Sequence, residues 1–181
     1  MARYVAFLRG MNVGGHRITN AELAKAVALE GMSEIATFRA SGNVIFSSAS
    51  RSPRKLESLI EEGLQGTLGY AVPAYVRSGS KLRSIAATEP FTSKQQEALQ
   101  GKRQVALLRA APSPAAKKRT LALAGKDDAL AIEGSEMHWL PTGRMSDSEL
   151  DFKAIEALLG AITVRTAGTV AEIAARYFAD G

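Results

Sequence analysis

Tyr4-Val5-Ala6-Phe7-Leu8-Arg9 returns a hundred positions later as Gln104-Val105-Ala106-Leu107-Leu108-Arg109, with Ala6-Phe7-Leu8-Arg9 echoed by Ala106-Leu107-Leu108-Arg109. Each is a near-continuous apolar run of the kind a buried strand shows. The residues after each run follow one order: a helix signal, two β-rich runs about a glycine turn, a second helix, then a short strand. Read twice, β-α-β-β-α-β is the ferredoxin-like pattern. It predicts an α+β chain of two repeats, with antiparallel sheets and helices packed on one face. The predicted division is 1–99 and 100–181, the two repeats packed as one compact unit.

Outward from the first run, Gly10-Met11-Asn12-Val13-Gly14-Gly15 breaks the strand with glycines that permit positive φ or close backbone approach. Thr19 and Glu22 have capping-box spacing, and Ile18 and Leu23 sit where a hydrophobic staple would clamp the same helix start. Leu23, Ala24, Val27 and Ala28 form its apolar stripe, and Gly31 stops it. The β-rich runs 35–39 and 44–46 flank Ala40-Ser41-Gly42-Asn43, a hairpin signal. Ser52-Pro53 opens the second helix, with Leu56, Leu59, Ile60 and Leu64 as its buried face. A strand is predicted over 72–76 and a short helix from Ser80 through Ala86. In the second half, Ser113-Pro114 opens a helix to about Ala124, and runs 129–132 and 137–140 flank Gly134-Ser135. Ser146 and Glu149 predict another capping box, ahead of Leu150, Ile155, Leu158 and Leu159; a strand at 162–164 and a helix from about Gly168 to Phe178 follow.

Apolar residues are 46% and charged residues 23% of the 181, as in folded chains. Without cysteine the chain has no disulfide, thiolate nucleophile or cysteine-built zinc site, and His16 and His138 alone do not make a histidine-rich metal centre. No metal or cofactor is therefore expected. The first apolar run is too short for a signal-peptide core, and no run approaches the ~20 residues of a membrane span. The expectation is a cytoplasmic protein without a membrane partner. Net charge is +5, from 12 Lys/Arg against 8 Asp/Glu in residues 1–100 and 11 against 10 in 101–181. Such a balance permits anionic partners without requiring them. Lys117-Lys118-Arg119 fits a solvated helix face.

Gly10 to Gly15 has the G-x-x-x-x-G spacing of a phosphate loop between strand and helix. His16 and Arg17 replace the lysine and hydroxyl residue that nucleotide hydrolysis needs, so the spacing argues against an NTPase and leaves two readings, an anion-binding loop or a glycine-permitted connection with solvated side chains. Ser41-Gly42-Asn43 offers polar groups but is also ordinary turn chemistry. His138 alternates with Met137 and Trp139 and is predicted to face solvent; Asp127 and Asp128 are predicted to be solvated at a turn. Asp147, Glu149 and Asp151 fit a helix start, where the macrodipole favours acids. Phe38, Phe46 and Trp139 fit core positions.

Leu8-Arg9-Gly10-Met11-Asn12-Val13-Gly14-Gly15, followed by Thr37-Phe38-Arg39-Ala40-Ser41-Gly42-Asn43-Val44-Ile45-Phe46, resembles the bacterial domain-of-unknown-function family 1697, whose members open with LRGxNVGG and carry SGNVxF. Glu89-Pro90-Phe91 fits that family's Asn-Pro-Phe region. The resemblance implies a two-repeat α+β fold with ferredoxin-like halves, and no activity. Where members end in Arg-Asn-Trp-x-Thr-Val this chain has Arg165-Thr166-Ala167-Gly168-Thr169-Val170, and His16 stands where members tend to have lysine.

Three functions remain open, as does the oligomeric state. The leading one is a small-ligand or anion-binding module with its site at Arg9, Asn12, Gly14, Gly15 and His16, to which Arg165 contributes from the second repeat. Another is an enzyme acting on a phosphorylated or carboxylated metabolite, with Arg9 and Arg17 holding charge and Ser41 or Asn43 nearer the chemistry. The last is nucleic-acid binding on open sheet faces, which requires exposed strand aromatics.

Overall fold

Val5, Ala6, Phe7 and Leu8 are buried whichever way they point, because β1 (Ala2–Leu8) is a central strand with both faces covered. That burial explains its lack of alternation. The coordinates are a computed structural model that describes residues 1–11, 17–40 and 42–179. After β1 come α1 (Asn20–Ala26), β2 (Met32–Thr37), β3 (Asn43–Ser48), α2 (Pro53–Leu68), β4 (Ala74–Ser78) and α3 (Gly79–Ala87). Then follow α4 (Ser93–Leu99), β5 (Gln104–Leu107), α5 (Pro114–Leu121), β6 (Asp128–Glu133), β7 (Glu136–Pro141), α6 (Phe152–Leu159), β8 (Thr163–Thr166) and α7 (Ala167–Tyr177).

Two four-stranded antiparallel sheets result, ordered β2-β3-β1-β4 and β6-β7-β5-β8. The second order is the first with every strand moved on by four, so the doubled α+β pattern stands. The contacts divide the chain into two compact units, residues 1–84 with 173–181, and residues 85–172.

In the first unit, Tyr4, Ala6 and Leu8 point to the helix side with Val44, Phe46, Ala74 and Val76, and pack against Leu23 and Val27 near α1 and Leu56, Ile60 and Leu64 of α2. In the second, Ala106, Leu108, Met137 and Trp139 pack with Ile155 of α6. The repeats also share a detail on the opposite faces. Val5 is in register with Arg77, and Val105 with Arg165. Each arginine donates from Nη1 to the carbonyl just before it, Val76 at 3.0 Å and Val164 at 2.8 Å.

The caps follow the sequence closely. Thr19 N–H donates to Glu22 Oε2 at 2.8 Å, and Glu22 N–H donates to Thr19 Oγ1 at 3.2 Å. Ser52 caps α2 ahead of Pro53, and α2 ends at Gly69 with φ +79. Ser113 likewise caps α5 ahead of Pro114.

Several expectations need correction. Leu59 of α2 is exposed, and α1 ends at Ala26 with Val27 as its C-cap, short of Gly31. Ser146 and Glu149 do not open α6: Asp151 caps it, accepting from Ala154 N–H at 2.9 Å, while residues 145–147 form a 3₁₀ turn. Two capping residues close together in sequence leave the choice to packing, and Ile155 is the fully buried residue of α6. His138 is buried, because Leu140, Ala129, Phe91 and Leu99 build a second apolar cluster on the face opposite Trp139. Its alternation with Met137 and Trp139 gave its face, not that face's covering. Asp128 is buried, accepting from Trp139 Nε1 at 2.6 Å and from Ser148 Oγ at 2.9 Å. Finally, Ser93–Leu99 forms a helix beyond the expected elements; Thr92 and Gln95 supply its capping box.

Candidate functional site

The glycine-loop end of the first sheet is where β1 ends and the β2–β3 turn begins. Leu8 N–H donates to Gly42 O at 2.8 Å, and Phe7 is in register with Asn43. Gly42 has φ +69, and a Cβ there would stand 3.1 Å from Leu8 Cβ and 3.4 Å from Met11 Sδ. Glycine is required twice over, by the left-handed backbone and by the close approach. The two segments singled out in the sequence therefore converge at Leu8, Met11 and Gly42. Arg9, half-buried, is fixed through its backbone N–H, which donates to Pro73 O at 2.9 Å.

Tyr70 ties the entering side of the loop to a cleft that the leaving side lines. Tyr70 Oη donates to Met11 O at 3.2 Å on the entering side. On the leaving side Arg17 and Ile18 line a cleft of about 340 Å³ with Glu22, Thr67, Leu68 and Tyr70. Arg17 is exposed there. Glu22 is held below the usual carboxylate range, first by Thr19's backbone N–H, then by Thr19's hydroxyl, with Lys25 adding a small charge effect against desolvation. Its charge is thus committed to the helix start.

Of the remaining candidates, Asn12, Gly14, Gly15, His16 and Ser41 lie outside the described residues. Asn43 is fully buried and donates from Nδ2 to Phe38 O at 2.9 Å, tying the hairpin turn together. Arg165 lies on β8 of the second unit, where it donates to Thr163 Oγ1 at 3.0 Å, and burial pulls its guanidinium down to about 10. The departure at 166 has a local role: Thr166 Oγ1 accepts from Thr169 N–H at 3.1 Å at the start of α7, work that asparagine also does at a cap. Sequence reasoning overlooked Arg39, which is exposed in the β2–β3 turn at φ +57, its guanidinium 5.3 Å from the Phe38 ring centroid. A bulky residue in the left-handed region is uncommon, but no sequence signal distinguishes it from the strand residues before it.

Among the described residues, no cluster of His, Asp and Glu is arranged to hold a metal ion. Phe7, Tyr75 and Trp139 are buried, so these strand aromatics offer no stacking platform for bases.

The doubled sheet order and the Gly42-to-β1 contact define an α+β protein of paired ferredoxin-like repeats. The chain belongs to the protein-of-unknown-function family DUF1697, whose model matches residues 1–138. No curated protein matches it significantly. Among solved structures it is similar to the conserved bacterial protein SP0830 from Streptococcus pneumoniae, at 20% identity over 96% of this chain and 97% of that one, with a TM-score of 0.74. At that identity the likeness is one of fold. No described helix is long and apolar enough to cross a membrane.

Proposed function

We propose that the chain is a small-ligand-binding module whose anion seat is the glycine-loop end of the first sheet. Arg9 and Arg17 would supply charge, and the loop residues Asn12, Gly14, Gly15 and His16 would supply backbone and side-chain donors. The observation that carries this reading is that Tyr70, bonded to Met11, ties the entry of the loop to a cleft that Arg17 lines at its exit. A volume near 340 Å³ suits a small metabolite. The test is a thermal-shift panel of mononucleotides, sugar phosphates and dicarboxylates on the intact chain, since a bound ligand raises the melting midpoint. A hit whose shift disappears in Arg17→Gln, with the unliganded midpoint unchanged, supports the seat. A panel without hits, or hits indifferent to Arg17, removes it.

A second reading, an enzyme acting on a phosphorylated or carboxylated metabolite, is favoured by the Gly42 contact, which sets Gly42 against Leu8 and Met11. In that reading Ser41 stands nearer the chemistry than Asn43, whose amide already serves the turn. Turnover of a ligand found in the panel, lost in Ser41→Ala with binding retained, separates this reading from the first.

A further inference from the structure

At the other end of the same sheet, the start of β1, the end of β4, the first turn of α3 and the end of α7 enclose a cleft of about 370 Å³. Arg3, Arg83 and Arg176 line it, together with Ser78, Ser80 and Tyr177. Arg3 and Arg176 flank the Tyr177 ring, their guanidinium carbons 5.8 Å and 5.4 Å from its centroid. Arg3 Nη1 donates to Tyr177 O at 3.3 Å and Arg83 Nη1 to Phe178 O at 2.9 Å. Ser78 Oγ and Ser80 Oγ are 3.1 Å apart. Gly79 permits the approach of α3 to α7, since a Cβ there would lie 2.5 Å from Phe178 Cδ1.

A simpler account is that the arginines only cap α7. Charge decides against it as the whole explanation. A helix C-terminus offers the equivalent of about half a negative charge, whereas three full positive charges converge here. None of the three is paired with a carboxylate among the described residues. Each guanidinium carries five N–H donors in a planar fork. The backbone bonds employ one on Arg3 and one on Arg83, so most of that capacity has no partner among the described residues. Like charges gathered without a counter-charge among the described residues raise the local potential and favour an anion. Guanidinium forks and serine hydroxyls match the several oxygens of a phosphoryl group.

We propose that this cleft is a second anion site, taking the phosphate group of a small molecule. It goes beyond the glycine-loop reading and is independent of it. The volume fits a phosphate ester, and Tyr177 offers an apolar wall for the group the phosphate is attached to.

The experiment is calorimetric titration of the full chain with inorganic phosphate and with pyrophosphate at low ionic strength. Saturable binding is expected, weakened about tenfold or more in Arg83→Gln and in Arg176→Gln. The Arg176 side chain makes no hydrogen bond to another described residue, so R176Q keeps the test valid if R83Q unfolds. Lys118→Gln removes the same charge from a residue outside the cleft's lining and is expected to leave the affinity within about twofold, because it forfeits no hydrogen bond to the anion. Four results would overturn the proposal. One is no saturable binding, including binding to an oligonucleotide but to neither phosphate probe. Another is equal weakening by K118Q and R176Q. A third is loss of binding in R17Q with retention in R83Q and R176Q, which places the phosphate at the glycine loop. The fourth is binding only in Asp180→Asn, which makes the chain's own carboxylate the anion of the cleft.

Discussion

Glu57 and Glu61 stand one helical turn apart on α2, and their Oε1 atoms accept from Val76 N–H at 2.9 Å and Ala74 N–H at 2.7 Å. These amides lie on the outer side of β4, an edge strand, so two carboxylates satisfy donors that no neighbouring strand reaches. The second unit has a related bond, Ile162 N–H donating to Glu156 Oε1 at 3.3 Å just before β8. Replacing Glu57 by Ala leaves a buried N–H without its acceptor and is expected to cost about 1–3 kcal/mol in urea unfolding, while Gln, whose amide oxygen still accepts, costs less. Gly101 is a sharper case: a Cβ there would overlap the Pro141 carbonyl oxygen, and backbone has little room to yield. Gly101→Ala is expected to lose about 3 kcal/mol in the same measurement. The Thr19–Glu22 cap makes a pH-dependent contribution. Glu22's folded value lies below the 4.5 of its unfolded state, so its stabilisation is present above that pH and lost as pH falls through the folded value. The protection factors of the amides at the start of α1, exchange rates corrected for the intrinsic pH dependence, should fall on acidification from pH 6 to 3, and Thr19→Ala should remove that fall.

At the scale of elements, the caps and turns were legible because their signals are local. Thr19, Ser52 and Ser113 each satisfy backbone donors within three residues, and no distant partner can override them cheaply. The Ser146–Glu149 spacing failed for the same physical reason that made it tempting: Asp151 offers an equal cap, and the burial of Ile155 decides between them. The two edges of the first sheet are protected differently. β4 has its carboxylates, whereas β2 is interrupted by a register shift between Ser33 and Ala36, where Glu34 adopts φ +50 and accepts from Ser47 Oγ. The β2–β3 turn depends on Gly42, so Gly42→Ala is expected to cost about 1–2 kcal/mol for the left-handed backbone, with an added loss from pressing on Leu8. A lowered thermal midpoint, with changed chemical shifts at Leu8 and Met11, is the outcome to look for.

For the whole chain, two sheets of one strand order predict a common hierarchy of protection. β1 and β3, with β5 and β7, are paired on both sides, whereas β2 and β6 are edges. Native-state hydrogen exchange should find the slowest amides of each unit in the central strands and faster ones in β2 and β6. Uniform exchange across a sheet would contradict that order.

By itself the sequence determined the doubled β-α-β-β-α-β order, the helix starts and the hairpin turns, since apolar runs, caps and glycine turns act over a few residues. It also singled out the 10–17 and 40–43 segments. Only the tertiary structure decided that these segments meet across Leu8 and Gly42, that His138 and Asp128 are buried, and that Arg3, Arg83 and Arg176 share a cleft. Those three arginines are separated by 80 and 93 positions and carry no local motif. Their convergence comes from β1, α3 and α7 ending at one place, and long-range packing leaves no periodicity to read.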